Sequence, residues 1–384
     1  MANLRQVRGF ARNRGLGDLG KKACLFDLTR HEEMLVRIPW LPQWKIRAFD
    51  GETVTLLGPA ANPHYDTDPF STQEQVITRL LYSRESLPSL EMKTYEDVYL
   101  VAEGGSFLVF RRGEMLGDCY ELLSRVGAAA FHVAEPIVVE VGAFCGDRFE
   151  ATNPAHFMFD HLARAVIFNE FAGFAPNQIF VQTQEAPLSE FSANAVMPGF
   201  SRLSSGQFYF FRKLSILSNV FSDVGHPLFF LNERVVATVR RRLAAAISSA
   251  RTGARRIYVS RFDATRRPLV QEAALADALR GRGFEVLVMS ALSPEAQLRA
   301  FRDAEQIVAP HGAALANLLG CSPGVRMLEL FSPSRGTAAF CAVCKAVGGR
   351  YGHLVGTSEP PERRNDHRWS ISVDDVVAAA MEQR

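Results

Sequence analysis

Five groups of side chains have the types and spacing to act on a charged, hydroxyl-rich ligand. His311, Gly312 and Ala313 end the apolar run Ile307-Val308-Ala309-Pro310 and open a helical pattern through Leu315, Asn317, Leu318 and Leu319. Such a strand-to-helix junction offers free backbone N–H groups and the positive end of a helix dipole, which suits a phosphate. Gly312 lets a ligand approach the backbone, Ala313, Ala314 and Ala316 keep bulk off that face, and Asn317 can add a side-chain amide. Arg261 follows the run Ile257-Tyr258-Val259-Ser260 with a fork of donors fitted to phosphate oxygens. Arg266 and Arg267 stand on a loop before Pro268, a local basic pair. Glu329 is the one acid inside the apolar stretch 325–331, where it is costly to bury without a partner and can accept from sugar hydroxyls. His156, Asp160 and Arg164 recur at i, i+4 and i+8 of a helical stretch, so they share a face, and His156 or Asp160 can act as a base.

Each group also has a plainer explanation. His311 can simply pack the turn, Arg261 can pair with Asp263, and Arg266 and Arg267 can be a solvated basic loop. Glu329 can pair with Arg326. Asp160 can pair with Arg164 or His161, leaving His156 as a core residue. The residue types alone leave these choices open.

The elements that must position these groups are legible from about residue 97 onward. Apolar runs at 98–101 and 106–110 flank Glu103-Gly104-Gly105 and predict a β-hairpin, and 136–141 predicts another strand. Helices are expected at 154–171 and 232–250, the second capped by Asn232, and 248–253 reads as a hinge. Beyond it, strands at 256–260, 285–289, 307–309 and 325–331 alternate with helices at 272–280, 294–302, from 312, and 340–347. That alternation predicts a parallel sheet covered on both faces, with ligands at the carboxyl ends of its strands. Phe208-Tyr209-Phe210-Phe211 reads as core, Asp374-Asp375 as the start of a last helix, and residues 1–95 are poorly readable.

Composition narrows the function classes. With 43 basic and 41 acidic residues in 384, the formal charge is +2, which gives no global case for nucleic acid. The cysteines (Cys24, Cys119, Cys145, Cys321, Cys341, Cys344) are scattered as in a reducing compartment. Cys341 and Cys344 lack the second pair of a zinc site and read as core thiols. Asp66-Thr67-Asp68 reads as a turn, so no metal site is expected. No run approaches the roughly 18–20 apolar residues of a membrane span. The expectation is a cytoplasmic protein, at most peripheral at the inner face of a membrane.

Taken together, Tyr258-Val259-Ser260-Arg261, Arg266-Arg267, Glu272, Gly283-Phe284, Gln297, His311-Gly312-Ala313, Leu315, Asn317-Leu318-Leu319 and Glu329 resemble glycosyltransferase family 61. Asn153-Pro154-Ala155-His156 through Arg164 is similar to that family's N-terminal Asn-x-x-His helix. The chain departs from the pattern at Ala314, where Gly is usual, at Ala316, where Thr is common, and at Gly320-Cys321, where an aromatic is common. The resemblance implies an α/β, GT-B-like architecture of two Rossmann-like lobes around a cleft. Residues 1–250 would form the acceptor-side lobe, with His156 and Asp160 as catalytic candidates. Residues 251–384 would form a doubly wound parallel sheet binding a nucleotide-sugar through Arg261, Arg266, Arg267, His311, Gly312, Ala313, Asn317 and Glu329. The implied activity is an inverting transfer, without metal or cofactor, from a UDP-linked donor to a glycan or glycolipid acceptor in capsule or lipopolysaccharide synthesis. A non-catalytic nucleotide- or carbohydrate-binding protein, or a nucleotide-dependent α/β enzyme of another class, are the alternatives. Against the last, no Gly-x-Gly-x-x-Gly turn follows a first strand.

Overall fold

Runs rich in β-branched and aromatic residues, alternating inward and outward, build the strands around which the chain is organised. The computed structural model describes residues 23–26, 45–47, 51–57, 60–61, 86–87, 90–103, 106–111, 114–116, 129–132, 136–146, 153–183, 186–204, 207–218, 233–247, 254–333, 339–358 and 368–382. They fall into two units, one drawn from 1–59 and 88–221 and the other from 60–87 and 222–384.

The first unit is a nine-stranded mixed sheet. Strands β1 (Leu90–Glu103) and β2 (Ser106–Arg111) make the expected hairpin, with Glu103 opposite Ser106. Strand β3 (Ile137–Phe144) is followed by helix α1 (Leu162–Phe171), β4 (Ile179–Val181), α2 (Pro187–Val196), β5 (Ser201–Arg202) and β6 (Phe208–Ser218). Six of its strands run in the order β5-β4-β3-β6-β1-β2, parallel from β5 to β6 and antiparallel from β6 to β2. Because β4 and β5 step to one side of β3 while β6 lies on the other, the strand order reverses between β3 and β6, as in a doubly wound fold. The aromatic run at 208–211 is part of β6, and Tyr209 and Phe211 are its buried alternation.

The second unit is a five-stranded, fully parallel sheet. After helix α3 (Glu233–Ala246) come β7 (Arg255–Ser260), α4 (Glu272–Arg280), β8 (Glu285–Val288), α5 (Pro294–Arg302), β9 (Ala304–Pro310), β10 (Arg326–Phe331), α6 (Ala339–Ala346), β11 (Arg350–Val355) and α7 (Val373–Glu382). The order β8-β7-β9-β10-β11 puts the topological switch point between β7 and β9. Tyr258, Val308, Leu328 and Leu330 on one face pack with Leu275 and Leu279 of α4 and with Val376 of α7. The expected sheet is therefore present, mixed in the first unit and parallel in the second.

Three details differ from expectation. The helix after Gly312 is a 3-10 helix, Ala313–Gly320, flanked by α3, α5 and α6. The helix from Pro154 widens at Phe157–His161 into a π-turn, where the Leu162 N–H reaches back to the Phe157 carbonyl. Strand β11 was not anticipated, because Gly352 and His353 interrupt its apolar run. Helix α3, placed by the sequence before the hinge at 248–253, is counted with the second unit; Asn232 and that hinge lie outside the described residues. No helix among the described residues is long and apolar enough to cross a membrane.

Gly142 on β3 lies beneath aromatic rings: an added Cβ would overlap Phe211 Cε1 and lie 2.9 Å from Phe180 Cε2. Phe180 and Phe211 meet edge-on at 4.9 Å, so neither ring has slack. Gly142→Ala should destabilise the protein by about 1–3 kcal/mol through overpacking, read as a lower urea midpoint. An unchanged midpoint would mean the rings can move aside.

Candidate functional site

At the carboxyl end of β7, Ser260 and Arg261 are fixed by Glu272, a buried acid in the first turn of α4. Its Oε1 accepts from Ser260 Oγ (2.8 Å), the Arg261 backbone N–H (2.5 Å) and Tyr258 Oη (3.3 Å). The Arg261 guanidinium then spans the switch point. Nη1 donates to the His311 carbonyl (2.9 Å) at the end of β9, and Nη2 to the Arg266 carbonyl (3.0 Å). Two backbone carbonyls therefore hold the side chain, rather than an ion pair with Asp263. Three of its five N–H donors stay available. Burial pushes the Arg261 pKa down and the Glu272 carboxylate pulls it back up, so it stays a cation with reduced hydration.

Gly312 has φ −178° and ψ 166°, an extended conformation open to any residue. Its missing side chain matters for another reason: a Cβ there would overlap Arg261 Nη1. The close approach expected of a ligand is made by the protein's own guanidinium. Ala313 opens the 3-10 helix and is partly exposed.

His311 is held on three sides. Its Nδ1 is 2.7 Å from Glu329 Oε1, and its ring stacks on Phe331 and lies 5.3 Å from Phe340. Glu329 is fully buried, and its Oε2 accepts from Tyr351 Oη at 2.6 Å. Both carboxylate oxygens thus have partners inside the protein, and neither partner is Arg326, which pairs with Glu305. Asn317 is also fully buried; its amide donates to Gln297 Oε1 (3.1 Å) and the Ala314 carbonyl (2.9 Å). It braces the 3-10 helix against α5.

Arg261, Arg267, His311, Ser332, Leu330 and Trp369 line a crevice over the ends of β7, β9 and β10, with about 200 Å³ of empty space. Most of that space is open to solvent and the enclosed part holds about one water, so the crevice is a shallow rim rather than an enclosing pocket. Arg266 is exposed and contributes its carbonyl; Arg267 has φ 53°, and its carbonyl accepts from Trp369 Nε1 (2.9 Å). Sequence reasoning missed Tyr351, Ser332 and Trp369, which sit beyond the recognisable pattern and carry no local signal.

His156 and Asp160 belong to the first unit. Asn153 caps their helix, its Oδ1 accepting from the Ala155 N–H (3.0 Å), and Pro154 opens it. His156 Nδ1 lies 3.1 Å from Asp160 Oδ2; the His156 side chain is 32% exposed and that of Asp160 9%. Arg164, two turns on, is buried. Among the described residues no three His, Cys, Asp or Glu side chains gather to hold a metal ion. Cys341 and Cys344 are buried and not joined in a disulfide, and Asp66-Thr67-Asp68 lies outside the described residues.

Burial, reinforced by the Glu329 carboxylate, raises the Tyr351 pKa well above its ordinary value. In the unfolded chain Tyr351 ionises near the ordinary tyrosine value of about 10, while in the native chain it keeps its proton. The native state then binds more protons than the unfolded state, so this group's contribution to stability is complete below about pH 10 and is lost as pH rises further. Tyr351→Phe should flatten that alkaline decline in urea midpoints and, by leaving Glu329 Oε2 unpaired, cost about 1–3 kcal/mol at neutral pH. A decline identical in both proteins would remove Tyr351 as its source.

No curated protein matches the chain. Residues 155–328 match the family model for Glycosyltransferase 61. The match begins just before His156, takes in Arg261, His311 and Asn317, and stops one residue short of Glu329. It covers a little under half of the chain; it supports glycosyltransferase family 61 and indicates a glycosyltransferase.

Proposed function

We propose that the protein is an inverting, metal-independent glycosyltransferase that moves a sugar from a UDP-linked donor to a hydroxyl of a glycan or glycolipid in cell-surface polysaccharide synthesis. The observation that carries this reading is Arg261 joined to the His311 carbonyl across the switch point of a doubly wound sheet, within a region that matches a glycosyltransferase family. In such sheets the crevice beside the switch point is where nucleotides bind. The two units act as the lobes of a GT-B enzyme, working in the cytoplasm at the inner face of a membrane.

In the transfer, a base removes the acceptor's hydroxyl proton and the oxygen forms a bond to the anomeric carbon. The bond from that carbon to the diphosphate oxygen breaks, and its electron pair leaves with the diphosphate. Arg261 supplies fixed donors to that growing charge, with Arg266 and Arg267 adding positive potential at the rim. His311 presents the ring edge opposite Glu329 to the crevice. Glu329 acts on His311, fixing its orientation, rather than on a ribose. His156 is the base, being the more exposed member of its pair, and Asp160 orients it.

Arg261→Ala should weaken UDP binding about ten- to a hundredfold, the loss of roughly 1.5–3 kcal/mol from a charged hydrogen bond. Gly312→Ala should do nearly the same and also lower the urea midpoint, since its Cβ would push the guanidinium off the His311 and Arg266 carbonyls that hold it. Calorimetry in EDTA checks both. Wild-type binding that vanishes on chelation would defeat the metal-free mechanism, and full affinity in either variant would remove Arg261 from the donor site.

His156→Ala should lower turnover by about 10²–10⁴-fold with UDP affinity nearly unchanged, because a base acts on the acceptor in the transition state. Asp160→Asn should lower it by a smaller factor. Parallel losses of rate and nucleotide affinity would make the pair a structural support instead.

A further inference from the structure

Among the described residues of the second unit, large apolar side chains stand exposed at two positions, Phe262 (52%) and Val270 (40%). Both lie on the segment 261–270, which rims the crevice through Arg261 and Arg267. Exposure there is not slack in a loose loop. The Phe262 N–H donates to Ser260 Oγ (3.1 Å), and the Ala264 N–H closes a turn onto the Arg261 carbonyl (2.8 Å). Arg261 Nη2 and Trp369 Nε1 hold the carbonyls of Arg266 and Arg267. The backbone is tied on both sides of a phenylalanine left in water, where its apolar surface is unfavourable.

The neighbours of Phe262 say what would cover it. One residue away, about 3.8 Å along the chain, Arg261 keeps three donors for an anion. The crevice behind them is shallow, enclosing room for about one water, so a ligand anchored there lies across the rim. The rim thus carries a cationic fork and, on the next residue, an exposed aromatic ring. A nucleotide carries the matching pair, a phosphate and a flat aromatic base joined through one sugar; an acidic glycan or glycolipid carries the anion but no flat aromatic ring.

We propose that Phe262 is the stacking platform for the base of a nucleoside diphosphate whose phosphates are held by Arg261. The proposal rests on the nucleotide reading of the crevice and adds the residue that recognises the base. Stacking tolerates any base, so Phe262 contributes affinity for the nucleoside half while the choice among bases lies elsewhere.

The test compares wild-type protein, Phe262→Ala and Phe262→Trp by calorimetry with UDP, GDP, dTDP and inorganic diphosphate. Phe262→Ala should weaken the nucleotides that wild type binds by about five- to a hundredfold, the effect of losing one base–aromatic stack, and leave inorganic diphosphate unchanged. Phe262→Trp should keep nucleotide affinity, and its added fluorescence should change with nucleotide and not with diphosphate. Unchanged nucleotide affinity in Phe262→Ala would overturn the stacking role. Equal losses for nucleotide and inorganic diphosphate would also overturn it, making Phe262 a prop for the loop. Wild-type protein that holds diphosphate yet ignores all three nucleotides would bring down the nucleotide reading itself, a result distinct from the other two. Loss of binding to phosphatidylglycerol vesicles in Phe262→Ala, with nucleotide binding intact, would assign the ring to a membrane surface instead.

Discussion

The crevice of the second unit depends on one buried cation lying where a side chain is missing. Arg261 occupies the space a Cβ on Gly312 would take, and from there its guanidinium joins the end of β9 to the loop after β7. Desolvating an arginine is costly unless its donors are satisfied, and two well-placed carbonyls with a nearby carboxylate meet much of that cost. Everything around it serves the same placement. Glu272 fixes the backbone from which Arg261 departs, and Trp369 holds the loop it reaches. The unused donors are thereby aimed before any ligand arrives, which is how a preorganised electrostatic site avoids reorganisation during reaction.

A second constraint runs through β10. Period two puts Glu329 on the same sheet face as Phe331, and the parallel register brings Tyr351 of β11 within reach. A lone carboxylate at zero exposure would be strongly unfavourable; accepting from Tyr351 and pairing with His311 makes it tolerable. The same contacts fix which nitrogen of His311 faces inward, so a buried acid with no access to ligand still sets what the surface presents. Asn317 is satisfied less completely. Its amide protons have partners, but its Oδ1 is buried without one. Such an atom is a local cost kept next to the site, inside the short 3-10 helix that follows His311.

Much of the fold was legible because periodicity reports which faces are buried. The hairpin at β1 and β2, the alternation from β7 to β10 and the helix from Pro154 all follow from it, and the positions of Arg261, His311 and Glu329 at strand ends follow from the alternation. What the sequence could not disclose was the long-range partner of each polar group. Gly312 reads as room for a ligand until Arg261, fifty-one residues earlier, is seen to fill it. Glu329 reads as a ribose acceptor until Tyr351 is known to sit beside it. Asn317 reads as a ligand-facing amide until Gln297 takes its proton. Helix type escaped for a different cause: the small and aliphatic residues at 313–320 suit an α-helix as well as a 3-10 helix, and packing among α3, α5 and α6 decides.

The two candidate centres use opposite means of preparing a side chain. In the second unit the working groups are fixed by backbone carbonyls and a buried acid, so their positions are set by the parallel sheet itself. In the first unit His156 sits where a helix leaves regular winding. The π-turn at Phe157–His161 adds a residue to the turn that carries Asp160, and π-turns of this kind recur at functional sites because they re-aim side chains within an otherwise rigid helix. There the carboxylate is the buried member of the pair and the imidazole the exposed one. A base that must meet a bound hydroxyl benefits from an exposed edge, whereas groups that must neutralise a departing diphosphate benefit from being immobile. On the proposed reading, the multiply held Arg261 suits the holding of a donor and the partly exposed His156 the approach of an acceptor.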